Sequence, residues 1–72
     1  MPKSTSDLKD IVRLGGGINV DAKHTPTIVL KDLATLANTP GAMITIRNAD
    51  KKLPPDLKDI ARLAPGKITF VF

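Results

Sequence analysis

One seven-residue phrase occurs three times in this chain, and that recurrence limits the possible folds more than any other feature. Leu8-Lys9-Asp10-Ile11-Val12-Arg13-Leu14 is matched at nearly every position by Leu57-Lys58-Asp59-Ile60-Ala61-Arg62-Leu63, and Leu30-Lys31-Asp32-Leu33-Ala34-Thr35-Leu36 repeats the pattern between them. A small residue follows each copy: Gly15, Ala37 or Ala64. Recurrence of one phrase along a chain is the mark of stacked structural repeats, each unable to bury its apolar face alone.

Within each copy the apolar residues fall at i, i+3, i+4, i+6 and i+7, which is one face of an amphipathic helix of about three turns. The Lys-Asp pair is expected on the opposite, solvated face. Each helix then meets a stop: Gly15-Gly16-Gly17, Asn38-Thr39-Pro40-Gly41, and Pro65-Gly66. Glycine reaches the left-handed backbone that closes a helix, and proline cannot continue one. The helix starts are marked by Pro26 and Pro55, with Ser6 or Ser4 a candidate cap for the first helix.

After each stop the pattern changes to period two: Ile18-Asn19-Val20, Ile44-Thr45-Ile46, and Ile68-Thr69-Phe70-Val71-Phe72. Alternation rich in β-branched residues predicts strands with one buried face. The expected fold is therefore α/β, with a single domain over 1–72 built from three αβ repeats (6–22, 27–48 and 55–72). Parallel strands joined through right-handed crossovers give the order 1-2-3, with all helices on one face of a two-layer, short solenoid-like stack. Its outline is similar to leucine-rich repeats, but the L-x-x-L-x-L-x-x-N signature is missing.

Aligning the strands on Ile18, Ile44 and Ile68 turns Ile18/Val20, Ile44/Ile46 and Ile68/Phe70 toward the helices. The other face then carries a middle row of Asn19, Thr45 and Thr69. Gly17, Met43 and Lys67 lie on one side of that row, and Asp21, Arg47 and Val71 on the other. Asp21 and Arg47 are expected to pair across strands. Parallel sheets usually have both faces covered, and the chain has no further residues for the second face. The last strand is apolar at its tip, which invites another strand.

Two interaction surfaces follow. The open face, with Asn19, Met43, Thr45, Arg47 and Thr69, is expected to bind a protein partner. The edge at Val71 and Phe72 is expected to pair with a symmetry mate in a homodimer, giving a six-stranded sheet.

Composition narrows the chemistry. There is no cysteine and one histidine, so a disulfide is impossible and a zinc site has too few nitrogen and sulfur ligands. Gly15-Gly16-Gly17 follows a helix and precedes a strand, the reverse of a phosphate loop. His24 has no serine or cysteine nucleophile nearby. Asp10, Asp32 and Asp59 recur once per repeat, each after a lysine, and read as a solvated face rather than a calcium site. No catalytic, cofactor or metal site is expected, and the reading is non-enzymatic.

The net charge of +4 keeps an alternative open, a small basic nucleic-acid-associated protein using Lys9, Arg13, Lys31, Lys51, Lys52, Lys58 and Arg62. No aromatic platform for single strands accompanies those cations. No apolar run approaches the roughly 20 residues that span a bilayer, and Met1 to Thr5 lacks the apolar core of a signal peptide. A cytoplasmic protein that does not enter membranes is the expectation.

Overall fold

The computed structural model describes residues 5–72. Its elements run α1 (Thr5–Arg13), β1 (Gly17–Asp21), α2 (Thr27–Leu36), β2 (Met43–Arg47), a 3-10 turn (Ala49–Lys51), α3 (Pro54–Leu63) and β3 (Ile68–Phe70). The strands form one parallel sheet in the order β1-β2-β3, with the helices on one face. The expected register holds: Ile18 pairs with Ile44 and Ile44 with Ile68, while Asn19, Thr45 and Thr69 form one row. Pairing continues one residue beyond β3, because Val71 N donates to Ile46 O at 2.9 Å and Val71 O accepts from Ala49 N at 3.0 Å.

The stop signals work through identifiable hydrogen bonds. Gly15 N donates to Val12 O and Gly16 N to Ile11 O, both at 2.9 Å, and Gly15 has φ of +87°. That pair of bonds around a left-handed residue is a Schellman cap. Gly15 is required for a second reason, since a Cβ there would stand 2.7 Å from Pro40 O in the turn of the next repeat. At the other ends, Pro26 precedes α2, and Pro54 and Pro55 open α3. Ser6 lies inside α1 and is not its cap; Ser4 lies outside the described residues.

The core sits between the helices and the inner face of the sheet. Its largest fully buried side chains are Val12, Leu30, Leu33, Ile44, Ile46 and Ile60. Four of these six belong to the middle repeat, which has a neighbour on each side. Burying one such side chain is worth about 1.5–3 kcal/mol.

The apolar stripe differs from expectation at its end. Leu36 is half-buried, but Leu63 is only partly covered and Leu14 is 87% exposed. Helix α1 ends at Arg13, and the Schellman turn swings Leu14 outward before it can continue the stripe.

The Lys-Asp face is solvated, and its charges also pair between neighbouring repeats. Lys9 Nζ lies 3.6 Å from Asp32 Oδ2, and Lys31 Nζ lies 3.7 Å from Asp59 Oδ2. The lysine of each repeat thus reaches the aspartate of the next.

Replacing Gly15 by alanine should cost about 1–3 kcal/mol through the left-handed backbone alone, with the Pro40 clash adding to it. Leu14→Ser should change stability by less than about 0.5 kcal/mol, although Leu33→Ala at the stripe's centre should cost about 2–5 kcal/mol. Urea midpoints at constant slope would read all three.

Candidate functional site

The residues singled out by the sequence lie on the outer face of the sheet, at the tip beyond β3, on the layer of helices, and in and just after the 3-10 turn. On the sheet, alternation along three strands in register sets Asn19, Thr45 and Thr69 side by side. Asn19 and Thr69 are exposed and Thr45 is half-buried between them. Met43 (46% exposed) and Arg47 flank Thr45 along β2, and Val71 follows Thr69. Lys67 is half-buried. The molecule measures 18 Å along its shortest axis, against 29 Å along the other two. That is the depth of one helical layer on one sheet, and no segment among the described residues lies across the outer face.

Arg47 is held differently from the expected cross-strand pair. Its register partner is Asp21, yet Arg47 Nε donates to Asn19 Oδ1 at 2.6 Å. Asp21 Oδ1 accepts instead from Asn48 Nδ2 at 2.8 Å and from Lys23 N at 2.9 Å. The reason is local backbone. Asn48 follows β2 with φ of 55°, a left-handed conformation that asparagine tolerates, and this sets its amide next to Asp21. The Asn48 bond, then the Lys23 bond, hold the Asp21 carboxyl below the ordinary carboxylate range, with smaller help from His24 and Arg47.

At the carboxyl ends of β1 and β2 lies a cleft of about 510 Å³, bordered by Asn19, Asp21, His24 and Arg47 over Leu8, Val20 and Val29. Clefts at this end of parallel strands are common ligand sites. Here Asp21 and Arg47 already bond to protein groups. The His24 backbone N–H donates to Asp21 O at 3.1 Å, and no partner orients its ring among the described residues. A general base needs such a partner. Asp10, Asp32 and Asp59 do not converge, because there is one on each helix, and no group of three metal-ligating side chains occurs among the described residues.

The cations of the helical layer are mostly paired. Lys9 meets Asp32, Lys31 meets Asp59, Arg13 meets Asp10 at 2.9 Å and Arg62 meets Asp59 at 2.6 Å. Of the seven basic residues considered for nucleic acid, Lys51, Lys52 and Lys58 have no ion pair among the described residues. Val71 and Phe72 stand exposed at the tip beyond β3, and Phe72 is stacked obliquely on Phe70 with ring centroids 6.3 Å apart. No helix among the described residues is long and apolar enough to cross a membrane.

The residues that sequence reasoning missed are Asn48 and Asn38. Asn38 Nδ2 donates to Leu63 O at 2.9 Å, so the turn after α2 caps the end of α3. An asparagine in a turn was the available signal, but its acceptor lies 25 positions away. No protein-family model, no curated protein and no solved structure matches the chain.

Asn48→Gly keeps the left-handed backbone and removes the amide, so the Asp21 carboxyl should titrate nearer its ordinary value. Folding lowers this pKa, so Asp21 adds stability above its unfolded-state pKa, and the contribution is lost as pH falls through the folded value. Carboxyl-detected NMR titration of both proteins would show the shift, and the variant should depend less on pH in that acid window.

Proposed function

We propose that this domain is a non-enzymatic protein-interaction module. It takes a protein partner on the open sheet face around Asn19, Thr45 and Thr69, with Met43 and Arg47 as flanking contacts. It associates with itself through the C-terminal edge at Val71 and Phe72. The observation that carries the reading is a three-stranded parallel sheet with helices on one face only, an arrangement that usually has a second covering layer. The face has the mixed character of an interaction surface, with a polar row beside exposed Met43 and Val71. In the cleft Asp21 and Arg47 are engaged by protein groups, and no partner orients His24 among the described residues, which favours a binding role over a catalytic one.

The nucleic-acid alternative is the weaker one. Four of its seven cations sit beside carboxylates, and paired charges release fewer counterions on phosphate binding.

Site-specific photo-crosslinking in the native host separates these readings. A photoreactive residue at Thr45 or Thr69 should yield discrete protein adducts, and one at Asp32 or Arg62 should not. Adducts confined to the helical layer, or adducts to nucleic acid from Lys51 or Lys58, would overturn the proposal.

A further inference from the structure

We propose that the partner for the C-terminal edge is the opposite end of a second copy, so that chains stack head to tail and continue the repeat across the junction. This rests on the self-association reading above and names the surface that β3 meets.

Three independent features of the ends fit one another. The first is the main chain. Ile44 N donates to Lys67 O, and Val71 N to Ile46 O, both at 2.9 Å. Inward-facing residues of β2 therefore bond to outward-facing residues of β3. The same rule joins β1 to β2, where Ala22 N donates to Arg47 O at 2.8 Å. By this alternation the free groups on β3 are those of inward-facing Ile68 and Phe70. The free groups on β1 belong to outward-facing Gly17 and Asn19, with the N–H of Asp21, whose carbonyl already accepts from His24. The next interior step would join just these two sets. In the continued register Phe72 of one copy arrives level with Ala22 of the next, at the end of β1 where the cleft over Leu8, Val20 and Val29 opens.

The second feature is charge. Lys9 reaches forward to Asp32, and Lys31 reaches forward to Asp59. Asp59 also takes Arg62 of its own helix. Asp10 takes Arg13 in the same way, but among the described residues it has no lysine from another repeat. Lys58 has no aspartate from another repeat among the described residues. The two open members have opposite sign and occupy opposite ends of the stack.

The third is apolar cover. Ile11, Leu33 and Ile60 hold the same place in the repeat. Leu33 and Ile60 are 0% exposed, but Ile11 is 36% exposed. At the other end, Ala61 is half-buried, while its equivalents Val12 and Ala34 are fully buried. A neighbouring copy would restore cover to both. A two-fold pairing of β3 with β3 would instead set the Lys58 flank against itself, leaving Asp10, Ile11 and the β1 edge open. Head-to-tail contact is heterologous, so it builds rings or filaments rather than stopping at a dimer.

Sedimentation of the full chain over a wide concentration range tests this. The mass should climb beyond a dimer. Asp10→Lys and Lys58→Asp should each weaken association by about 3- to 10-fold, as for exposed ion pairs reversed into like charges. An equimolar mixture of the two should regain the original affinity, because each variant's reversed end meets its complement. Asn19→Pro removes a free N–H of the β1 edge and should leave a monomer with its circular dichroism unchanged. If that variant does not fold, the mixing experiment decides. A dimer that ignores both charge reversals would overturn the head-to-tail arrangement while keeping self-association. A monomer at the highest soluble concentration would overturn both.

Discussion

Each helix in this protein buries its apolar stripe only with help from the repeat beside it. The middle unit, covered on two sides, supplies Leu30, Leu33, Ile44 and Ile46 to the fully buried core. The first unit buries Val12 but leaves Ile11 partly bare, and the last buries Ile60 but leaves Ala61 half-covered. Stability in such a stack is a sum of weak units and the interfaces between them. With three units there are two interior interfaces, and the ends are as apolar as the interior positions they repeat.

The charged layer outside that core has a direction. Each exposed Lys-Asp contact is worth little, at most about 1 kcal/mol, since water screens both partners. Its structural consequence is register. A lysine that can reach only the aspartate one repeat ahead favours one offset between neighbouring helices over the alternatives. The turns reinforce that offset from the other end of the helices, where Gly15 lies against Pro40 and Asn38 bonds to the last carbonyl of α3. Together with the Arg13–Asp10 and Arg62–Asp59 contacts, the Lys-Asp pairing sets a carboxylate beside four of the seven cations considered for nucleic acid, while the net charge stays at +4.

The surfaces proposed for interaction are those that the packed repeats leave uncovered. Helices occupy one side of the sheet, so the side with Asn19, Thr45 and Thr69 has no covering layer among the described residues. It is an ordered surface, since strand register fixes the row and Arg47 is tied to Asn19. A partner meeting it would find groups already in place, which lowers the ordering cost of binding. The two sheet edges present different main-chain groups, and the proposed head-to-tail contact rests on that difference.

The sequence by itself determined the order of elements, the places where helices stop, the alignment of Ile18, Ile44 and Ile68, and the identity of the outer row. These are properties of period and of single residues such as Gly15, and they act over a few positions of chain. It did not show that Lys9 and Lys31 also reach the next repeat, it paired Arg47 with Asp21 where the structure pairs it with Asn19, it kept Leu14 on the stripe that the cap turns it away from, and it was silent on where Asn38 and Asn48 send their amides. The partners of those side chains lie 23 to 28 residues away, and Leu14 depends on the cap that closes against a neighbouring turn. Only the stacking of finished repeats brings such groups together, so tertiary structure alone decided between them.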